Sequence, residues 1–315
     1  MSGLRIIFCG TPHFAVPSLR LLLTQKDFEI AAVITQPDRP RGRGQKIAAS
    51  AVKEAALAAG LTVHQPEKIR KPEAESLLRE LKPDAIVIIA YGQIIPERLL
   101  DIPKLGWINL HASLLPKYRG AAPINWAIAN GEERTGVTTM KIDAGMDTGE
   151  NLLQHEVGIG PKETAPELAV RLAGVGAPLM AETLRGLSAG TIHARPQNNA
   201  EASYAPLLKK GDGRIEWERT AQQIFDRMRG FAPWPGAFST FRGHSWQLWG
   251  EPANSKEITA KPGTMILEAG ELLAACGGGS ALRLDRLKME GRNEVQAMEF
   301  ARGAHLAGGE HFDKV

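Results

Sequence analysis

Two cysteines in 315 residues, Cys9 and Cys276, are too few and too far apart for a disulfide framework or a thiolate metal cluster. Both sit in apolar or glycine-rich surroundings and read as buried free thiols. Long apolar runs are also missing. The amino terminus, MSGLRIIFCG, is too short in its apolar part for a signal peptide or a membrane span, and no later stretch approaches the needed length. A cytoplasmic protein without a membrane partner is therefore expected. Charge is nearly balanced at +3, which permits an anionic partner without requiring one. Clustered histidines are absent, so a metal site is not expected.

What is present reads as two folded parts, because the length exceeds that of a typical single domain. The apolar runs RIIFCG, EIAAVIT, AIVIIA and WINLH are short, β-branched and closed by glycine, proline or polar residues, as buried parallel strands are. Helical patterns lie between them; SAVKEAALAAG has Ser50 as N-cap and Gly60 as its stop. This βαβ alternation predicts an α/β, Rossmann-like parallel sheet with helices on both faces. TGVTTMKID and NLLQHEVGI alternate like exposed strands and complete the sheet, before a long helix from about Ala165 to Leu187. Beyond a polar stretch the pattern changes to a helix, short strands with glycine turns and a late helix, which predicts a small OB-like β-barrel. The expected boundaries are a catalytic domain at 1–189, a linker at 190–209 and a carboxyl-terminal domain at 210–315.

The stretch GWINLHASLLPKYRGAAPINWA ends an apolar strand on alternating polar residues. Ligands of open parallel sheets bind beyond the carboxyl ends of the strands, where Asn109 and His111 would share one side. An amide and an imidazole in a cleft can stabilise an oxyanion and move a proton. MKIDAGMDTGE offers two carboxylates, Asp143 and Asp147, and the glycine-flanked Asp147 is freer to reach a histidine. A strand-end histidine is often structural, and an asparagine there is often a turn former. FCGTPHFAVPSL lacks the GxGxxG spacing, and Pro12 removes an amide donor, so a dinucleotide site is weakly supported.

NLHASLLPKYRGAAPINWA together with GVTTMKIDAGMDTGE resembles the folate-dependent formyltransferases, whose signature places Asn, His and Asp around an SLLP loop. FCGTPHFAVPSL, VITQPDRPRGRGQK, AYGQIIP and FAPWPGAF are similar to the branch acting on the methionyl group of initiator tRNA. His13 and Met146 depart from that pattern, where an acidic residue and a leucine are expected; neither touches the presumed chemistry. The resemblance implies no permanently bound cofactor, 10-formyltetrahydrofolate as formyl donor substrate and the α-amino group of initiator methionyl-tRNA as acceptor, in a monomer. Such an amine has a pKa of about 7.7 to 8, so part of it is already a neutral nucleophile. The implied catalytic residues are Asn109 for the oxyanion, His111 for proton transfer and Asp147 for holding and tuning His111. The folate would lie against Ser113, Leu114, Leu115 and Pro116, its pterin near Tyr91, Gly92 and Ile94.

TQPDRPRGRGQK carries Arg39, Arg41, Arg43 and Lys46 against Asp38 alone. Such a run is usually a solvated loop, yet flexibility and positive charge also suit RNA. The resemblance implies that it wedges into the acceptor end of the tRNA, with Arg43 foremost and Arg41 and Lys46 beside it. Lys209, Lys210 and Arg214 are the basic candidates after the linker. Residues 190–315 hold 16 Lys plus Arg and 15 Asp plus Glu, so any RNA footprint there is a local patch. Two other readings stand beside this one. A formyltransferase for a small amine, such as glycinamide ribonucleotide or an amino sugar, explains the three polar residues but not the basic loop or second domain. A nucleotide- or RNA-binding module without catalysis leaves the three residues without a purpose.

Overall fold

The structure, a computed structural model, describes residues 3–41, 46–254 and 257–313. It divides into two compact units. The first comprises Met1–Pro123, Arg134–Gly158 and Leu168–Pro206; the second comprises Ile124–Glu133, Ile159–Glu167 and Leu207–Val315.

In the first unit the anticipated strands appear as β1 (Leu4–Gly10) and β2 (Phe28–Ile34). A two-stranded ribbon, β3 (Arg39–Arg41) and β4 (Lys46–Ala48), follows β2. Next come β5 (Val63–His64), β6 (Ala85–Ile89), β7 (Trp107–His111), β8 (Arg134–Lys141) and β9 (Asn151–Gly158). The main sheet runs β5-β2-β1-β6-β7-β8-β9. Its first five strands are parallel, while β8 is antiparallel to β7 and to β9. From β1 the chain moves one way to β2 and β5, and from β6 the other way to β7. The crevice beyond the carboxyl ends of β1 and β6 is thus the topological switch point, where open α/β sheets take their ligands.

Six of the eight residues of β8 are buried, contrary to the expected exposed alternation. The reason is its place between β7 and β9, where a polar residue must be hydrogen-bonded: Thr139 Oγ1 lies 2.8 Å from Thr183 Oγ1 on the long helix.

The helices are α1 (Val16–Thr24), α2 (Ala51–Ala58), α3 (Pro72–Leu81), α4 (Pro123–Ala129) and α5 (Ala165–Ala189). Ser50 caps α2 by accepting the Lys53 amide at 3.0 Å, and Gly60 takes the left-handed conformation that ends it. Ala74 and Leu78 of α3 pack with Ile7, Cys9, Ile86, Ile88 and Trp107 on one face of the sheet. On the other, α5 approaches so closely that a Cβ at Gly176 would meet Leu110 at 2.5 Å. Because neighbours alternate, Leu110 faces α5 and Asn109 and His111 face the opposite side.

The second unit holds most of α4, with α6 (Ala221–Gly230) and α7 (Ala297–Gly303). Its strands are β10 (Phe238–Phe241), β11 (His244–Pro252), β12 (Met265–Glu268), β13 (Glu271–Ala275), β14 (Ala281–Met289) and β15 (Glu294–Gln296). They form one antiparallel curled sheet, β10-β11-β14-β13-β12, with β15 on β14. This is the small β-domain expected from short strands and glycine turns. Its core is apolar, with Trp217 stacked on Phe312 at 4.8 Å between centroids and Leu248, Leu272 and Leu284 buried around it. The stretch expected to act as a linker, 190–209, stays with the first unit through Pro206. Its backbone finds partners there, as buried peptide groups must: Arg195 exchanges hydrogen bonds with Asn151, and Ala205 donates to Arg119 at 2.7 Å.

Candidate active site

Asn109 and His111 end β7 between two strands, Asn109 beside Ile88 of β6 and Met140 of β8, His111 beside Thr138. Register fixes both backbones before the side chains are considered. His111 is 6% exposed, and its Nε2 stands 2.9 Å from the carbonyl oxygen of Tyr118. A carbonyl only accepts, so Nε2 carries the hydrogen. The other ring nitrogen, Nδ1, faces Asp147 Oδ2 at 3.6 Å, an ion-pair distance longer than a direct hydrogen bond. Asn109 is half-buried, and among the described residues its side-chain amide has no hydrogen-bond partner.

Asp147 lies in the loop after β8 in the left-handed backbone conformation, φ +53°. Aspartate tolerates that region better than most residues. Oδ2 also accepts the amide of Gly120 at 2.8 Å, so one carboxylate oxygen touches both the histidine side and the chain after the SLLP loop. The competing carboxylate, Asp143, builds the same loop: Oδ1 accepts the Gly145 amide at 3.0 Å and the Thr148 hydroxyl at 2.8 Å. Of the two carboxylates, Asp147 is the one that stands beside His111. A glycine is required at 149, where a Cβ would sit 1.9 Å from the carbonyl oxygen of Lys141.

The SLLP loop is held from within. Ser113 is fully buried and its hydroxyl donates to the Lys117 carbonyl at 2.6 Å. Thr138 Oγ1 donates to the Ser113 carbonyl at 2.6 Å and receives the Leu115 amide at 3.1 Å. Gln154 donates to the Leu115 carbonyl at 2.8 Å. Leu115 is buried, Leu114 and Pro116 are half-buried, and Leu114 packs over Gly136.

At the switch point a cavity of about 510 Å³ is lined in part by Thr11, Pro12, Gln36, Ser50, Tyr91 and Gly92. It lies beyond β6, one strand from Asn109, and Asn109, His111 and Asp147 are not among its walls. The Tyr91 carbonyl is already used, by the Thr11 hydroxyl at 3.0 Å and the Gln36 amide at 3.1 Å. Its phenol oxygen is buried without a hydrogen-bond partner among the described residues, and burial, with Cys9 beside it, pushes the phenol pKa up. Ile94 is 90% exposed and forms no part of the cavity wall.

The remaining sequence candidates are placed as follows. Arg41 pairs with Lys46 at the end of the β3–β4 ribbon next to residues 42–45, so the basic run includes an antiparallel strand pair and is not a plain loop. Arg43 lies outside the described residues. Lys209, Lys210 and Arg214 are exposed on the second unit around a short 3₁₀ turn, Lys210–Gly213. Among the described residues no three His, Cys, Asp or Glu side chains converge as a metal site. Thr138, Arg119 and Gln197 were missed. Thr138 sits on the buried β8, and the contacts of the other two arise from pairings distant in sequence.

Residues 4–184 match the family described as formyl transferase, and residues 207–305 match the formyl transferase carboxyl-terminal domain. A methionyl-tRNA formyltransferase of Solibacter usitatus is 53% identical over 96% of this chain and 96% of its own length. One from Koribacter versatilis is 52% identical over 95% of each chain. The chain belongs to the methionyl-tRNA formyltransferase family. Among solved structures, the sugar 3N-formyl transferase WlaRD, with dTDP and 5-N-formyl-THF, matches with TM-score 0.64 over 92% of this chain and 99% of its own. A Helicobacter canadensis N-formyltransferase complexed with folinic acid and dTDP-3-aminofucose has TM-score 0.65 over 90% and 98%. At 20% and 21% identity these two establish the formyltransferase fold alone.

Proposed function

We propose that this chain transfers the formyl group of 10-formyltetrahydrofolate to the α-amino group of methionine on initiator methionyl-tRNA. The observation that carries the acceptor is the identity of about half that extends along nearly the whole of both curated relatives, second unit included. The small-amine alternative leaves the basic ribbon without a purpose.

In this reading the amine nitrogen attacks the formyl carbon, a C–N bond forms, and the carbonyl oxygen becomes an oxyanion. Asn109, whose amide is uncommitted, donates to that oxygen. The tetrahedral carbon then releases the tetrahydrofolate nitrogen, which takes up a proton as the former ammonium gives one away. His111 carries that proton through Nδ1, since Nε2 is anchored on the Tyr118 carbonyl. Asp147 faces Nδ1 and orients the ring; the 3.6 Å gap suits a contact that tightens only when substrates are bound. The folate would lie along Ser113, Leu114, Leu115 and Pro116, near Tyr91 and Gly92, and would cover the exposed Ile94. The basic run with Arg41, Arg43 and Lys46, and the surface of Lys209, Lys210 and Arg214, would hold tRNA phosphates. Functionally, 1–189 would carry catalysis, 190–209 the link and 210–315 RNA binding. No helix among the described residues is long and apolar enough to cross a membrane. An aminoacyl-tRNA acceptor places the enzyme in the cytoplasm.

The test is transfer of labelled formyl from 10-formyltetrahydrofolate, with methionyl initiator tRNA, methionyl elongator tRNA and amino sugars as parallel acceptors. Label on the initiator tRNA, far above the other two, is expected. Label on an amino sugar with none on tRNA would overturn the reading.

A further inference from the structure

Arg119 is one of the most deeply buried side chains of the protein, about 2% exposed, and it has no carboxylate partner among the described residues. Burying a guanidinium without a counter-charge is costly unless its N–H groups are satisfied in another way. Here the partners are amide oxygens. Nε and one terminal nitrogen donate to Gln197 Oε1 at 3.0 and 2.7 Å, and that terminal nitrogen also donates to Asn199 Oδ1 at 2.8 Å.

A guanidinium can only donate, so it dictates which way the Gln197 amide points. The oxygen must face Arg119, and the NH₂ group must face away. That NH₂ donates to two main-chain carbonyls, Asp147 O at 2.9 Å and Gly149 O at 2.7 Å. Both lie in the loop that carries the carboxylate, one on Asp147 itself and the other two residues further on. Arg119 and Gln197 therefore grip the backbone from which the Asp147 side chain projects.

The same chain segment registers the other half of the pair. Three successive residues each hold one part of it. The Tyr118 carbonyl holds His111 Nε2, the Arg119 side chain holds Gln197, and the Gly120 amide donates to Asp147 Oδ2. This tripeptide is stitched to residues 203–205. Tyr118 N donates to Ser203 Oγ at 2.9 Å, Arg119 N to Ser203 O at 2.8 Å, and Ala205 N to Arg119 O at 2.7 Å.

We infer that Arg119 and Gln197 are positioning residues: a clamp that sets the Asp147 carboxylate against His111, so that breaking it slows formyl transfer without weakening either substrate. The inference rests on the catalytic reading given above. It concerns the chemical step, because neither residue lies in the SLLP loop, in the cavity wall or on the basic ribbon.

The discriminating variant is Gln197→Glu. A carboxylate there still accepts from Arg119 and gains an ion pair, but it can no longer donate to the Asp147 and Gly149 carbonyls and repels both. Single-turnover rates at saturating donor and acceptor, KM for each substrate and the thermal midpoint are measured for wild type, Gln197→Glu, Arg119→Lys and His111→Asn. For Gln197→Glu we expect a rate lower by tenfold or more, both KM values within twofold, and a midpoint no lower than that of the wild type. Arg119→Lys, which cannot grip the amide with two parallel donors, should lose severalfold in rate with the same unchanged KM values. Should the Glu variant fail to fold, Gln197→Ser, too short to bridge, gives the same reading. A Gln197 variant within twofold of the wild-type rate while His111→Asn is inactive overturns the clamp alone. So does a raised KM for either substrate at unchanged rate. A fully active His111→Asn overturns the catalytic reading itself.

Discussion

The two units bury different things. The first encloses His111, Ser113, Arg119, Thr138 and Thr139, each tied into hydrogen bonds at or near the strand ends. The second packs Trp217, Leu248, Met265, Leu272, Leu284 and Phe312 into an apolar core, and among the described residues its carboxyl-terminal part buries few polar side chains: the Asp226–Arg229 pair, at 2.8 Å, with Ser239 and Thr264. Its basic candidates Lys209, Lys210 and Arg214 stay on the surface. Buried polar groups are costly unless every one is satisfied, so a fold keeps them where their placement is used. The difference supports the proposal that reaction chemistry belongs to the first unit and surface recognition to the second.

That contrast breaks most visibly at the strand end. Replacing His111 or Asn109 by Ala should lower single-turnover transfer by on the order of a hundredfold or more, the usual scale for losing a general acid–base or an oxyanion donor. The thermal midpoint checks that the fold is spared. Either variant at near wild-type rate would remove the chemistry from this site.

Next in size is Arg43→Ala, in the basic run RPRGRGQK. If Arg43 wedges into the acceptor end, efficiency toward initiator tRNA should drop by about tenfold, the size of a 1.4 kcal/mol contact. The loss should exceed that on the elongator, whose paired end costs a few kcal/mol to open in any case. Equal losses on both tRNAs would reduce the ribbon to generic charge.

A smaller effect is expected on the second unit. Changing Lys209, Lys210 and Arg214 together to Ala should weaken tRNA binding severalfold at physiological salt and flatten its salt dependence, by about one unit of slope for each phosphate no longer neutralised. Binding and slope are read by titration at several salt concentrations; an unchanged slope would mean that this surface does not touch the RNA.

The smallest concerns the second unit's scaffold alone. Thr220 caps α6, accepting the Gln223 amide at 3.3 Å while Gln223 Oε1 accepts the Thr220 amide at 3.1 Å. Thr220→Ala should cost about 1 kcal/mol in stability by denaturant titration and leave the transfer rate of the folded enzyme alone.

Much of this was legible in the chain. RIIFCG, EIAAVIT, AIVIIA and WINLH are parallel strands because their apolar, β-branched runs leave no face for water, and Ser50 caps its helix as read. Alternation and a glycine-flanked carboxylate single out Asn109, His111 and Asp147 as candidates, and the structure brings His111 and Asp147 together. What escaped depends on contacts made across the chain. Burial of β8 follows from β9 pairing on its far side, which its own threonines do not announce. Pro40 and the glycines of RPRGRGQK hid a strand pair whose register is local but whose residues disfavour strands. Arg119 and Gln197 carry no local signal at all, because a buried arginine is recognised only once residues 78 apart in sequence are seen to bond. Ile94, chosen for its place in an apolar motif, is exposed, and its neighbour Ile95 is the isoleucine that packs inward.

The most direct test of the central claim, that the Asn109, His111 and Asp147 set performs the transfer, is the single-turnover rate of Asp147→Asn at saturating 10-formyltetrahydrofolate and methionyl initiator tRNA. Asparagine keeps the size of the side chain and an oxygen for the Gly120 amide, while the negative charge facing His111 Nδ1 is gone. The account predicts a rate lower by on the order of a hundredfold with folate affinity unchanged. A rate within a few-fold of the wild type would contradict it.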